Sequence, residues 1–124
     1  MTKAVWFDIP VADMDRAITF YEALTCQSLS REQMGPGMET ALFAAEEDGS
    51  GSGGCLFASP DDQPSHHGSR VYFDANPKMD DWLARVEPAG GRILVAKTPV
   101  PEVGGVFAYI EDSEGNRVGL RADA

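Results

Sequence analysis

Apolar and polar residues alternate along the start of the chain and then change to a helical spacing. The alternation runs from Val5 to Ile9, which is the period-two pattern of a strand with one buried face. From 14 to 24, apolar residues recur at every third or fourth position, which predicts an amphipathic helix capped by Asp13. The predicted core positions are Val5, Phe7, Ile9, Met14, Ala17, Ile18, Tyr21 and Leu24.

The same strand-to-helix pattern returns in the second half of the chain, over residues 70–86. There Asn76-Pro77 predicts the start of the helix, because asparagine favours the cap and proline the first helical position. Pro88 and the two glycines that follow it predict the end of this helix. Its apolar stripe consists of Met79, Trp82, Leu83 and Val86.

Three further strands are predicted after each helix. They cover 27–33, 39–45 and 55–58 in the first half and 92–97, 105–111 and 117–121 in the second. The order βαβββ therefore occurs twice, in pseudo-repeats 4–59 and 69–122 of one domain that covers 1–124. We predict an α+β fold in which the two modules form one curved eight-stranded mixed sheet, with helices on the convex face and a concave trough inside.

Two loops are predicted between these elements. The run 46–54 is acidic and then rich in glycine and serine, which is typical of a solvated hairpin loop, and it lacks the Gly-Lys-Ser/Thr sequence that would hold a phosphate. The polar segment 59–68 contains both histidines and predicts a linker between the halves. His66 and His67 point apart in an extended chain, so we expect two exposed side chains, although a metal that bridges two subunits through them stays open.

Composition changes this picture mainly by excluding classes of partner. With 124 residues, of which 43% are hydrophobic, the chain can bury a core, and no apolar run approaches the roughly 20 residues that span a bilayer. The formal net charge of −10 argues against nucleic acid and anionic membrane as partners. The N-terminus lacks the apolar segment of a signal peptide, so we expect a cytoplasmic protein in which Cys26 and Cys55 are buried free thiols.

Six short motifs are spread over nearly the whole chain. They are Trp6-Phe7-Asp8-Ile9-Pro10-Val11, Asp13-Met14-Asp15-Arg16-Ala17, Phe20-Tyr21-Glu22, Val71-Tyr72-Phe73, Gly90-Gly91-Arg92 and Asp112-Ser113-Glu114-Gly115-Asn116-Arg117. With these motifs the chain resembles the vicinal oxygen chelate superfamily, which includes lactoylglutathione lyase, extradiol dioxygenases and bleomycin-resistance proteins. It is most similar to the single-domain proteins related to lactoylglutathione lyase. The resemblance implies a homodimer with the trough near the interface or shared across it.

The metal-dependent members of this superfamily hold a divalent ion with His, Glu or Gln side chains on four strands that line the trough. Carried onto this chain one at a time, the four positions fall on Trp6, on Arg70 or Tyr72, on Gly119, and on Cys55, Leu56 or Phe57 of the fourth strand. Indole and glycine offer no ligand atom, a guanidinium stays protonated, and one cysteine alone is not a site. We therefore expect no metal and no other cofactor, which removes the Lewis acid of the usual family chemistry.

Strand parity places a mixed set of aromatic, acidic and basic side chains in the trough: Trp6, Asp8, Arg70, Tyr72, Asp74, Arg117 and Arg121. Such a lining suits a small, partly aromatic, polar ligand. Our predicted ligand-binding residues are Trp6, Asp8, Arg70, Tyr72 and Arg121. The alternative is that some of them fill the trough or form an ion pair, such as Asp8 with Arg70 or Arg121. We interpret Phe107 and Tyr109 as packing.

Three functions are compatible with this pattern. The first is a glyoxalase/bleomycin-resistance-like protein that binds a small organic molecule in the trough without a metal and without transforming it. The second is a lyase or isomerase of the lactoylglutathione lyase type. This enzyme is either metal-free, with Tyr72 or Asp8 as acid/base and Arg70 as oxyanion partner, or metal-dependent through other ligands. The third is sequestration of a cationic antibiotic, with which a net charge of −10 is compatible.

Overall fold

The computed structural model describes residues 2–45 and 53–124. The elements in chain order are β1 (Trp6–Pro10), α1 (Met14–Thr25), β2 (Ser30–Gly35), β3 (Met38–Leu42), β4 (Gly53–Ala58), β5 (Tyr72–Asp74), α2 (Met79–Ala89), β6 (Arg92–Pro99), β7 (Val106–Glu111) and β8 (Arg117–Ala122). Most of the predicted hairpin loop, 46–52, lies outside the described residues, and its last two positions, 53 and 54, open β4. The order βαβββ thus occurs twice, as the hydrophobic pattern predicts.

The strands form two four-stranded mixed sheets, where the sequence analysis predicted one sheet of eight strands. Their strand orders are β1-β4-β3-β2 and β5-β8-β7-β6, and only the β1–β4 and β5–β8 pairs are parallel. The α+β fold of two βαβββ modules is therefore confirmed, with the same topology in each. The modules meet through side chains, since Phe7 of β1 and Phe73 of β5 lie with ring centroids 5.9 Å apart. Alternation along a strand defines its faces but not which strand edges pair, which is why the pattern did not separate the sheets.

Each helix packs on its own sheet and contributes its predicted stripe to one shared core. The core positions Ile9, Tyr21 and Leu24 are buried as expected. Val5 is wrong as a core residue: it is 70% exposed and precedes β1, because pairing with β4 begins only at Trp6.

The ends of the helices differ from the prediction in two places. Helix α2 begins at Met79 after Lys78, and the predicted cap Asn76 instead accepts a hydrogen bond from the backbone N–H of Asp123 at 2.7 Å. Pro88 lies inside α2, which runs to Ala89 and is capped by Gly90 with φ 111°. Within the described part of the chain, no helix combines the length and the hydropathy that crossing a membrane requires.

The two cysteines also separate in the structure. Cys55 is buried as predicted, whereas the prediction of a buried thiol is wrong for Cys26, which is exposed. Cys26 ends α1 in the left-handed conformation with φ 59°, and its N–H donates to the carbonyl of Glu22. A residue at this position closes the helix and has no place in the core.

A turn of the second module is bound to the first. This inter-module turn (112–116) connects β7 and β8, and its Asp112 carboxylate is buried. The hydroxyl of Tyr21 on α1 donates to Asp112 Oδ2 at 2.6 Å, and Asn116 Nδ2 donates to the carbonyl of Pro10 at 2.7 Å. The N–H of Asn116 donates to Asp112 Oδ1 at 2.9 Å, which holds the turn itself.

Glu114 makes the second set of contacts between the inter-module turn and the first module. Its side chain is fully buried and accepts hydrogen bonds from the N–H groups of Ala12 and Asp13 at 2.9 and 2.7 Å, at the start of α1. Arg16 Nε donates to the same carboxylate at 2.6 Å. A carboxylate in this place satisfies free N–H groups and complements the helix dipole, so the turn fixes how the two modules lie together.

Candidate functional site

The sheet faces that point away from the helices carry the predicted site residues, and we call this surface the trough. Alternate side chains of β1 and β5 lie on it, while their neighbours Phe7 and Phe73 pack against the core. Trp6 is 53% exposed and Tyr72 is 44% exposed, so both rings present a face to solvent. An exposed pair of large aromatic side chains is a usual feature of a ligand-binding surface.

Each of these two rings lies over a glycine of the neighbouring parallel strand. Trp6 stands opposite Gly53, and a Cβ on that glycine would come within 2.7 Å of the indole. Tyr72 stands opposite Gly119, where a Cβ would collide with the phenol ring. The two modules therefore place an aromatic ring on a glycine at equivalent positions, and the register adds Gly53 to the trough residues that the sequence suggested.

Asp8 is the centre of a small cluster in the first module. Its Oδ1 accepts a hydrogen bond from Trp6 Nε1 at 2.9 Å and one from Cys55 Sγ at 3.2 Å. Burial and the neighbouring Asp8 carboxylate raise the pKa of Cys55 to about 12. At neutral pH the thiol is therefore protonated and acts as a donor, which disqualifies it as a nucleophile.

A larger cluster occupies the second module. Arg70 Nη1 donates to the hydroxyls of Tyr109 at 2.9 Å and Tyr72 at 3.3 Å, and the two hydroxyls lie 3.1 Å apart. The guanidinium carbon of Arg70 lies 4.2 Å from the centroid of the Tyr109 ring, and that of Arg117 lies 5.8 Å from it. We call Arg70, Tyr72, Tyr109 and Arg117 the tyrosine–arginine cluster.

The two phenols of this cluster titrate differently. Burial raises the pKa of Tyr72, but the hydrogen bonds from Tyr109 and Arg70 and the charges of Arg70 and Arg117 outweigh it and bring this pKa below its ordinary value. The pKa of Tyr109 is raised, mainly by its hydrogen bond with Tyr72 and by burial. Tyr72 is therefore the phenol that loses its proton first, while Tyr109 and Arg70 donate to it.

The predicted site residues fall into separate groups. Asp8 is held by Trp6 and Cys55, and no ion pair of the described residues joins it to Arg70 or Arg121. Arg121 lies apart from the tyrosine–arginine cluster and donates from Nη2 to the carbonyl of Gly104 at 3.1 Å. The predicted ion pair of Asp8 with Arg70 or Arg121 is therefore not present among the described residues.

The adjacent histidines differ from each other. His66 Nε2 lies 2.6 Å from Glu111 Oε2, so it holds the linker to the end of β7. Arg92 Nε reaches Glu111 Oε1 at 3.0 Å. His67 is exposed, as both were expected to be.

Two cavities border the tyrosine–arginine cluster. The larger, of about 310 Å³, opens where β5 and β8 end and is lined by Tyr72, Asp74, Asn76 and Arg121, among others. The smaller, of about 120 Å³, lies between the modules and is lined by residues that include Asp8, His67, Ser69 and Arg117. Polar side chains of both signs thus line spaces that suit small molecules.

A family model described as the Glyoxalase/Bleomycin resistance protein/Dioxygenase superfamily matches residues 3–120. The chain belongs to this superfamily. Its model covers both modules and the inter-module turn. A search of curated proteins gives no match.

Solved structures of the glyoxalase superfamily show the same fold. A V278E mutant of glyoxalase I from Zea mays has a TM-score of 0.74 and 21% identity, over 96% of this chain and 45% of its own. The chain thus spans about half the length of the maize enzyme. A glyoxalase-related enzyme from Fulvimarina pelagi has a TM-score of 0.70 and 12% identity, over 98% of this chain and 88% of its own. A glyoxalase/bleomycin resistance protein from Streptomyces sp. CB03234 has a TM-score of 0.68 and 21% identity, over 96% and 99%.

The residues of this glyoxalase-superfamily trough do not fit a divalent metal. The four carried-over ligand positions hold Trp6 on β1, Cys55, Leu56 or Phe57 on β4, Arg70 or Tyr72 at β5, and Gly119 on β8. Over the stretches 2–45 and 53–124, no three His, Cys, Asp or Glu side chains come together in a group that could hold an ion. Tyr72 offers one oxygen, which already has donors in Arg70 and Tyr109.

Two members of the tyrosine–arginine cluster, Arg117 and Tyr109, were not among the ligand-binding residues predicted from the sequence. Strand parity placed Arg117 on the trough, and Tyr109 was interpreted as packing. The alternation of Phe107 and Tyr109 with buried Ala108 and Ile110 gave the correct face. The hydrogen bond that joins Tyr109 to Arg70 spans 39 positions, and no local pattern in the sequence predicts it.

Proposed function

We propose that this protein binds a small organic molecule in its trough without the divalent metal of its metal-dependent relatives. The observation that carries the proposal is the pairing of aromatic ring and glycine in both modules. The rings of Trp6 and Tyr72 cover Gly53 and Gly119, and Trp6 and Gly119, two of the carried-over ligand positions, offer no side-chain donor to a metal. A cavity of about 310 Å³ lined by Tyr72 and one of about 120 Å³ lined by Asp8 and Arg117 support a small ligand.

A fluorescence titration tests this proposal with a matched pair of variants. Trp82 lies on α2, where it is half-buried against the core and stacks on Phe73, whereas Trp6 lies in the trough. We expect at least one of benzoate, phenyl phosphate, benzamide and benzylamine to quench the fluorescence of Trp82→Phe, which retains Trp6. The control Trp6→Phe, which retains Trp82, should respond little.

A metal titration provides the contradicting outcome. We expect zinc, nickel, iron and manganese ions to leave the melting temperature unchanged at equimolar concentration. A rise in melting temperature that saturates near one ion per chain and disappears with a chelator would refute the metal-free trough, because a ligand that binds only the folded state stabilises it.

One observation supports an enzyme as the second candidate. Tyr72, with its lowered pKa, has Arg70 at 3.3 Å as a donor, which is the arrangement of a phenolic acid/base beside an oxyanion partner. Asp8 lies in the other cluster, where its hydrogen-bond partners among the described residues are Trp6 and Cys55. A 2-oxo-aldehyde adduct that wild-type protein converts and Tyr72→Phe does not would support this candidate. Equal turnover by both proteins would remove Tyr72 as the acid/base.

The remaining expectations concern the setting of the protein. We propose that the protein is a homodimer in the cytoplasm and binds neither nucleic acid nor membrane. We also propose that 1–124 form one domain with pseudo-repeats 4–59 and 69–122. Ile93 and Val95 on the edge strand β6 are each 38% exposed, which supports a contact with a second copy. Sedimentation equilibrium of wild type and Val95→Glu tests the dimer, and a monomer in both would contradict it.

A further inference from the structure

The arginines of this protein differ in whether a carboxylate neutralises them. Arg16 pairs with Glu114 at 2.6 Å, Arg92 pairs with Glu111 at 3.0 Å, and Arg31 pairs with Asp15 and Glu39. Four arginines form no ion pair with any described residue: Arg85 and Arg121, which donate to backbone carbonyls, and Arg70 and Arg117, which both lie in the trough. In a chain with a net charge of −10, two neighbouring unpaired cations are unexpected.

The hydrogen bonds of Arg70 leave one edge of its guanidinium without a partner. Nη1 donates to both phenols, whereas Nε is buried and has no acceptor in the described parts of the chain. The Nε–Nη2 edge of a guanidinium is one of the two edges that bind a carboxylate or phosphate through parallel hydrogen bonds.

Arg117, whose guanidinium carbon lies 5.8 Å from the centroid of the Tyr109 ring, shows the same feature. Its Nε is also buried without a partner among the described residues, and its side chain lines the cavity of about 120 Å³. An unpaired buried donor costs free energy, and more so when it is charged. Two such donors beside one phenol have no acceptor within 2–45 and 53–124, which supports a site that receives an anion.

We propose that the ligand of the trough carries an anionic group, a carboxylate or a phosphate, which Arg70 and Arg117 recognise. This inference rests on the proposed function and names its ligand class. The body of the ligand stacks on the exposed ring of Tyr72 or Trp6, and the anionic group lies against the guanidinium groups of Arg70 and Arg117. A cationic antibiotic is a poor fit for the same reason, because both guanidinium groups repel it.

Four probes with the same phenyl ring and different charge test the inference. We expect the dissociation constants of benzoate and phenyl phosphate, measured by calorimetry at pH 7, to be at least about 10-fold lower than those of benzamide and benzylamine. The comparison of benzoate with phenyl phosphate distinguishes a carboxylate site from a phosphate site. Either preference among the two anions supports the inference.

The variants Arg70→Gln and Arg117→Gln should each weaken binding of the preferred anion by about 10-fold to 100-fold. Arg92→Gln, which removes an arginine that is already paired with Glu111, is the matched control and should bind as wild type does. Arg70→Lys keeps the positive charge but cannot donate two parallel hydrogen bonds, so it should give an intermediate affinity. A thermal melt of each variant confirms that it is folded.

Binding that is as tight for benzamide or benzylamine as for the anions would overturn this inference and leave the proposed function in place. The same holds if the anions bind and both glutamine variants, folded, bind them as wild type does. If none of the four probes binds, the proposed function and this inference fail together.

Discussion

Two regions of the molecule contain charged groups in partly or fully buried positions. The regions differ in whether these charged groups have hydrogen-bond partners. In the inter-module turn, the buried Asp112 and Glu114 carboxylates accept hydrogen bonds from several donors of both modules. In the tyrosine–arginine cluster, Arg70 and Arg117 each keep a buried Nε without an acceptor among the described residues. Satisfied buried charge specifies a fold, whereas unsatisfied buried charge lowers stability and indicates a place where a ligand acts.

The motif at 112–117 and the tyrosine–arginine cluster therefore have different roles. The motif at 112–117 carries much of the resemblance to the superfamily, yet residues 112–116 serve to join the modules. Its last residue, Arg117, belongs instead to the tyrosine–arginine cluster. We therefore expect substitutions in the turn to change stability, and substitutions in the cluster to change binding.

The largest effect should come from Asp112→Ala. This variant leaves the Tyr21 hydroxyl and the Asn116 amide without their acceptor in the buried turn, so we expect the free energy of unfolding to fall by about 3–5 kcal/mol. Urea denaturation measures it. Asp80→Ala, which removes an exposed ion pair with Lys97, is the control and should cost less than about 1 kcal/mol. Equal losses in the two variants would contradict a structural role of the turn.

The second effect is pH-dependent and comes from Glu114→Gln. Burial raises the pKa of Glu114, but the hydrogen bonds from Arg16, Asp13, Ser113 and Ala12 outweigh it and lower this pKa below its ordinary value. A carboxyl whose folded pKa is lowered stabilises the fold above its unfolded pKa, and this contribution is lost as the pH falls through the folded pKa. At pH 7 we expect the variant to be less stable by about 1.5–3 kcal/mol.

Denaturation of wild type and Glu114→Gln between pH 7 and 2.5 checks the sign. The difference in stability should be constant down to about pH 4.3, the unfolded pKa of glutamate, and should shrink below it. A difference that grows with acidity would refute the assignment.

The third prediction compares the two ring-on-glycine pairs. In Gly119→Ala the new Cβ collides with the Tyr72 ring, which Arg70 and Tyr109 hold, so we expect a loss of about 1–3 kcal/mol in stability. Gly53→Ala should cost less, because the Trp6 ring is 53% exposed and its polar group has a single partner, Asp8. Thermal melts of both variants provide the comparison. A larger loss in Gly53→Ala would show that the first module is the more rigid one.

The smallest effect on stability should come from Arg117→Gln. Because this guanidinium has no carboxylate partner in the described chain, its removal relieves repulsion by Arg70 and forfeits only a stacking contact with Tyr109. We expect the free energy of unfolding to change by less than about 1 kcal/mol, in either direction. A loss as large as that of Glu114→Gln would contradict the contrast between turn and cluster.

Much of the fold follows from the sequence because its signals are local. Period-two alternation and three- and four-residue spacing gave both modules, and Gly115 and Asn116 indicated the turn between β7 and β8. Contacts over long separations have no such signal. The hydrogen bond from Tyr21 to Asp112 spans 91 positions, so the role of the turn was not predictable.

The site was predictable only in part for the same reason. Parity placed Trp6, Asp8, Arg70 and Tyr72 on one surface, but it could not show that Asp8 and Arg70 belong to different clusters. The prediction of Val5 as a core residue was wrong because the alternation begins before Trp6, the first residue that pairs with β4. Patterns define faces, whereas partners depend on register and on the packing of the two modules.

The measurement that tests the central claim most directly is calorimetry of chelator-treated protein with the tightest binder among benzoate, phenyl phosphate, benzamide and benzylamine. We predict saturable binding of one molecule per chain, with an affinity that added zinc or nickel does not change. Binding that appears only after one of these ions is supplied would contradict a trough that works without a metal.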